Sequence, residues 1–254
     1  MTTVTVDLME LLPLLRAGLR AITLLAFLPW PSGRAIPIPV RALLGLMLGP
    51  LMWLPHSGAP LPELATPEDF LVALLGDLMV GGGAGLSVRI VLAAVQAASG
   101  LHGLQMGLSL SAVADPETGN QEVVLGRLQY WMTLALGIAL GWHRHVFLAL
   151  SEIFRLDARP RLEGFAWLVT LGEQVFSLGI RLAAPVMVCL LVTDLVVAIT
   201  GRLVPQVKSL MLIHPIKILV GLIVFVASLP VLVPVVLHEL HVLPESWVLL
   251  VERR

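Results

Sequence analysis

Apolar residues run in long stretches through this chain, broken by prolines, glycines and single charges rather than by regular polar alternation. Three windows hold no Asp, Glu, Lys or Arg: Ala42 to Pro62, Ile90 to Ala114 and Ile218 to His238. Each is about as long as the roughly 20 apolar residues that a helix needs to cross hydrocarbon. Pro50, Pro55, Pro60 and Pro62 cut the first window, and Pro230 and Pro234 cut the third, so neither is expected to form a plain straight span. Runs of this length without period-two alternation exclude strands. They predict helices at about Asp7 to Phe27, Val40 to Leu54, Pro67 to Val80, Ala84 to Gly107, Gln121 to Phe154, Glu163 to Gly201 with a bend at Pro185, and Pro215 to Leu237. Breaks are expected at Pro29, Pro31, Gly33, Pro37 and Pro39, and again at Gly81-Gly82-Gly83. Thr118 and Gln121, three apart, have the spacing of a capping box and mark a helix start. The expected fold class is all-α, built of membrane-associated helical hairpins with broken helices. No repeat or low-complexity linker divides residues 1–254.

Composition narrows the class further. Of 254 residues, 57% are apolar and 13% charged, where a soluble domain carries roughly 25% charged residues. Mean hydropathy is +0.94. Such a surface is matched to lipid or to other protein, which excludes an ordinary soluble enzyme. Sixteen Lys and Arg against 17 Asp and Glu give a formal charge of -1, so no basic field gathers nucleic acid. The single cysteine, Cys189, permits neither an internal disulfide nor a cysteine zinc site. Asp7 and Glu10 precede the first cation, Arg16, unlike a secretory leader, so the N-terminus is expected to be retained.

Polar residues inside the oily stretches are the candidates for chemistry. Small residues four apart, Ala93 and Ala97, Ala94 and Ala98, Ser99 and Gly103, and Gly103 and Gly107, let another helix approach closely. The same segment carries Arg89, Gln96, His102 and Gln105, with Arg89 and Gln96 seven apart on one face. An Arg in mid-hydrocarbon costs on the order of 2.5–3.5 kcal/mol, so these groups require partners or water. A hydrated path, a subunit contact and a structural hydrogen bond all satisfy that requirement. Asp194, Arg202 and Lys217 near the last hairpin fit either a structural ion pair or, for Asp194, a proton relay.

Several apparent motifs fail on spacing. His238-Glu239-Leu240-His241 lacks the four-residue histidine separation of a zinc protease helix, and His143 and His145 point to different sides of a helix. Gly81-Gly82-Gly83-Ala84-Gly85 has no preceding strand and no following Gly-Lys-Ser/Thr, so it reads as a hinge or a tight helix crossing. Ser109 and Ser111 have no motif histidine to activate them. No catalytic, cofactor or metal site is expected.

The most informative stretch is Gln105-Met106-Gly107-Leu108-Ser109 followed by Asp115-Pro116, Thr118-Gly119 and Gln121. With further blocks in order, at Pro37 to Arg41, Gly85 to Gln96, Val124 to Arg127, Arg181 to Pro185, Arg202 to Gln206 and Pro215 to Lys217, it resembles the FliR/SctT family of type III protein export gates. That resemblance implies a subunit of a hetero-oligomeric helical gate in the bacterial inner membrane, at the base of a flagellum or injectisome. FliP and FliQ homologues, then FlhB and FlhA homologues, are the implied partners, and unfolded proteins the implied cargo. It also implies a FliP-like portion of about residues 1–160 and a FliQ-like hairpin of about 161–254. The family uses the loop after Gly107 as a plug. Met106, Leu108, Leu110 and Val113 would exclude water from a pore, as hydrophobic constrictions do. Gly107 and Gly119 would permit movement at its ends, and Asp115 is pushed from helical geometry by Pro116. Two features depart from the family: Leu110 and Ala114 stand where many relatives have aromatics, and Val207-Lys208-Ser209-Leu210-Met211 replaces the usual block after the Pro-Gln pair. The flagellar members are the better match, with the injectisome as the alternative. An ion-coupled transporter using Asp194 and Arg89 is the other class, although the paired broken halves of such transporters are not found.

Overall fold

A computed structural model of the chain describes residues 8–28, 37–56, 66–108, 124–155, 162–203 and 210–250. Among the described residues there are seven α-helices and no strand. They are α1 (Leu8–Phe27), α2 (Ile38–Trp53), α3 (Pro67–Met106), α4 (Val124–Ala139), α5 (Trp142–Arg155), α6 (Leu162–Leu203) and α7 (Leu210–Ser246). Short 3-10 turns follow α2 at Leu54–His56 and α7 at Trp247–Leu250. The all-α expectation holds, and three helices are long and apolar enough to cross a membrane: Pro67–Met106, Ala166–Arg202 and Pro215–Ser246. A bent pair, Leu125–Ala139 with Trp142–Leu150, has the composition of a fourth, broken span.

Helix limits differ from expectation in three places. The Gly81-Gly82-Gly83 run does not divide two helices; α3 continues through it. Conversely, the single helix expected from Gln121 to Phe154 is broken at Gly141, whose φ of +85° is the left-handed geometry that glycine adopts without steric cost. Its N–H donates to the Ile138 carbonyl at 3.1 Å, and its own carbonyl accepts from Arg144 N–H at 2.9 Å as α5 begins. Helix α7 is longer at both ends than Pro215 to Leu237, and is uninterrupted across Pro230 and Pro234. The capping box expected at Thr118 and Gln121 lies outside the described residues. A different one starts α3: Thr66 Oγ1 accepts from Asp69 N–H at 3.2 Å while Asp69 Oδ2 accepts from Thr66 N–H at 3.2 Å, with Pro67 at the first helical position.

The chain forms two units, Met1–Ile90 with Ile138–Gly172 and Glu239–Arg254, and Val91–Gly137 with Glu173–His238. In the first unit, α1 is gripped from two sides by glycines. A Cβ on Gly49 of α2 would overlap the Ala17 carbonyl, and one on Gly45 would lie 2.7 Å from Ile22 Cα. On α3, a Cβ on Gly81 would overlap the Arg20 carbonyl, and one on Gly85 would lie 2.5 Å from the Leu24 carbonyl. Both pairs are four apart, so each glycine pair forms a groove one helical turn long that receives the backbone of α1. The glycine run of α3 is therefore a contact surface.

In the same unit, indole donors close gaps in the helices. Pro244 has no N–H for the Leu240 carbonyl one turn earlier. Trp142 Nε1 donates to that carbonyl instead, at 2.8 Å and buried. Trp247, fully buried, donates from Nε1 to Ser87 Oγ at 3.0 Å, and Ser87 Oγ donates to the Ala84 carbonyl at 2.7 Å.

Substituting Gly81 with Ala is expected to cost at least about 1–3 kcal/mol, the usual range for overpacking. Gly100→Ala, where a Cβ meets nothing within 4 Å, should be neutral or stabilising by up to about 1 kcal/mol. Thermal unfolding of the purified variants checks the contrast, and equal melting temperatures would contradict the tight crossing.

Candidate functional site

In the second unit the last turns of α3 are tied down by both packing and polar contacts, while Leu101 and Leu104 stay exposed. Helix α3 ends in a Schellman motif: Gly107, with φ +82°, donates N–H to the Leu104 carbonyl at 3.1 Å, and Leu108 N–H donates to the Gly103 carbonyl at 2.9 Å. Met106, fully buried, packs in a cluster with Leu125, Val186, Leu190 and Phe225, against which Leu108 also rests. The fit requires glycine opposite it, because a Cβ on Gly221 would come within 2.6–2.9 Å of the Met106 side chain. Polar contacts reinforce the packing. His102 Nε2 lies 3.1 Å from the Ala183 carbonyl, Gln105 Nε2 donates to the Met187 carbonyl at 3.3 Å, and Ser99 Oγ is paired with Gln129 Oε1 of α4.

The described residues on either side of the segment 109–123 meet one and the same cluster. The chain leaves the cluster at Leu108 and returns to it at Leu125, so one apolar core anchors both ends of that segment. Of the residues expected to form a plug, Met106, Gly107 and Leu108 are described. Met106 is the buried anchor in this conformation rather than an open face, and Leu108 is half-buried. Leu110, Val113, Asp115, Pro116, Gly119 and Gln121 lie outside the described residues.

The polar residues singled out from sequence are not gathered into one place. Arg89 and Arg202, expected to meet water or partners or to be buried in the assembly, are exposed on the single chain, and Gln96 is half-buried. Among the described residues, nothing covers the two long arginine side chains. Asp194 and Lys217 form the hairpin ion pair, at 2.7 Å between Nζ and Oδ1 and 2.8 Å between Nζ and Oδ2, with the carboxylate half-exposed. His145 meets His241 edge to face at 4.8 Å between centroids. Among the described residues, no three His, Cys, Asp or Glu are grouped to hold a metal.

Sequence reasoning missed the buried ionic cluster of the first unit. Arg16 Nε donates to Asp77 Oδ2 at 2.7 Å, and Arg20 donates from Nε to Asp77 Oδ1 at 3.1 Å, with its Nη2 on the same oxygen. Arg20 Nη1 donates to the Ile153 carbonyl, one of the last four of α5, where the helix dipole is negative. The guanidinium also lies 5.7 Å from the centroid of the Phe154 ring. One signal was available: Arg16 and Arg20 are four apart on one face of an apolar helix, and Asp77 is a lone acid in an apolar stretch.

Comparison with known proteins identifies the lineage. The profile of the bacterial export proteins, family 1, matches residues 11–242. The chain belongs to that family. The flagellar biosynthetic protein FliR of Escherichia coli (strain K12) is 28% identical over 228 residues, 87% of this chain and 85% of the relative. FliR of Bacillus subtilis (strain 168) is 29% identical over 182 residues, covering 69% and 70%. FliR of Aquifex aeolicus (strain VF5) is 28% identical over 233 residues, covering 87% of each chain. The similarity to FliR-type export proteins therefore embraces both units and the segment 109–123 between α3 and α4.

The two ion clusters should respond differently to mutation. Asp77→Ala removes the buried carboxylate that both Arg16 and Arg20 engage and is expected to destabilise by about 3–5 kcal/mol. Asp194→Asn removes a half-exposed pair and should cost no more than about 1 kcal/mol. Chemical denaturation of both variants tests this ranking, and a larger loss for Asp194→Asn would reverse the structural assignment.

Proposed function

We propose that this chain is a core subunit of a type III protein export gate, of the flagellar kind, which forms a channel with FliP and FliQ homologues for unfolded substrate proteins. The observation that carries the reading is the match to bacterial export proteins along residues 11–242, in a chain whose helices are long and apolar enough to cross a membrane. The gate would lie in the inner membrane at the flagellar basal body, with FlhB and FlhA homologues beside it. In this reading the chain performs no catalytic step. It is a conduit with a movable seal, and the energy for transport enters through other subunits.

The packing suggests how scaffold and seal divide the work. Residues 109–123 would supply the apolar plug, with Leu110 and Val113 excluding water. The cluster of Met106, Leu125, Val186, Leu190 and Phe225 would hold its two ends in place while it moves. Helices α6 and α7, whose apolar windows are only 22% and 17% buried within the chain, would find cover on partner helices or lipid. Asp194, engaged by Lys217 through both carboxylate oxygens, fits a clip across the hairpin better than the relay of an ion-coupled transporter.

Deleting Leu108 to Ala114 should leave the gate complex assembled and make the membrane leak small ions. Conductance measured in vesicles containing the assembled complex decides the point, and unchanged conductance would contradict the plug. Expressed alone, the chain should extract poorly, and co-expression with its FliP and FliQ homologues should recover it. A well-behaved monomer would count against the assembly.

A further inference from the structure

The last two turns of α3 carry two hydrogen-bond acceptors that find no partner among the described residues, His102 Nδ1 and Gln105 Oε1, both sealed from solvent. His102 is wholly buried. Its Nε2 faces the Ala183 carbonyl, which can only accept, so Nε2 carries the ring proton and Nδ1 of the neutral ring is a bare lone pair. Gln105 Nε2 donates to the Met187 carbonyl. Reversing that amide would set oxygen against oxygen, which fixes Oε1 as the unpaired acceptor. A spacing of three residues puts both side chains on the same face of α3. Two acceptors cannot satisfy each other, and a buried group without a partner costs about 1–3 kcal/mol. The complement they require is a small molecule with two donor hydrogens.

We propose that His102 Nδ1 and Gln105 Oε1 together bind one water molecule, which donates an O–H to each. The bound water closes a chain from the Ala183 carbonyl through His102, water and Gln105 to the Met187 carbonyl, and so clamps the end of α3 to two successive turns of α6. A proton on Nδ1 is the competing solution, and the surroundings disfavour it. Of the charged residues on the helices of this unit, Arg127 on α4 and Glu173, Arg181 and Arg202 on α6 are exposed, while Asp194 is engaged by Lys217 of α7. None of them pairs with His102, whose ring otherwise meets Phe225 edge to face at 6.0 Å. An imidazolium there would find no counter-charge among the described residues, whereas buried water with two or more polar partners is a regular part of protein interiors. The proposal holds whether or not the chain serves an export gate.

The test is nitrogen NMR on the full chain in membranes, with 15N in histidine only and the His102 signals identified by their loss in His102→Gln. At neutral pH the expected result is a protonated Nε2, a bare Nδ1, and transfer of magnetisation from water protons to Nδ1. That transfer should vanish in Gln105→Leu or, if that variant does not assemble, in Gln105→Met. A protonated Nδ1 in the unaltered chain, an absence of water transfer, or transfer that survives removal of the Gln105 acceptor would each overturn the site.

Discussion

In a chain this poor in charge, every polar group that falls among apolar helices has to be answered at close range, because neither bulk water nor hydrocarbon offers a partner. The structure meets that constraint for most of its buried groups, one by one. Asp77 takes two arginines, and the surplus donor of Arg20 is spent on a helix-end carbonyl. Trp142 supplies the N–H that Pro244 lacks, and Trp247 is satisfied by Ser87. These contacts join segments distant in sequence, so they select one arrangement of helices that oil-to-oil packing alone would leave degenerate.

Close approach of backbones is the second half of the same solution. Burying apolar surface drives little association when the surroundings are themselves apolar, so contact must come from shape. Gly45 with Gly49, and Gly81 with Gly85, remove the side chains that would keep α2 and α3 away from α1. Gly221 does the same for the Met106 side chain. In the proposed gate this economy would be an advantage, because the faces not consumed internally remain for neighbours. Leu191, Leu195, Leu219 and Ile223, all exposed on the C-terminal helices, are such surface.

Helix type was legible in the sequence because the apolar runs are long and unalternated. Helix limits were harder to read. Gly81 to Gly83 carry the residue type that usually breaks a helix, yet they stay helical, with α1 against Gly81 and Gly82 and the side chains of Leu168 and Leu250 against Gly83. Gly141 shows no such cluster around it, and there the helix does break, since a left-handed residue was needed. The motif around Met106 identified the family, but the burial of Met106 could not be read locally: it depends on Gly221, over a hundred positions away. Arg89 and Arg202 are exposed on the single chain, and a charge inside an apolar stretch does not by itself reveal which side of the helix faces outward. Leu110 to Gln121, the core of the sequence motif, belong to the segment that the structure does not describe.

The shared footing of Leu108 and Leu125 has an evolutionary corollary. When the two ends of a loop are pinned to one core, the distance between them no longer depends on what lies in between. Closure entropy then grows only logarithmically with length, about 0.6 kcal/mol for each doubling. Bulk, number and chemistry of the intervening residues can then drift while the framework stays the same, so in the proposed gate an aperture lined by this segment could be re-gauged for new cargo without redesign of the helices that carry it.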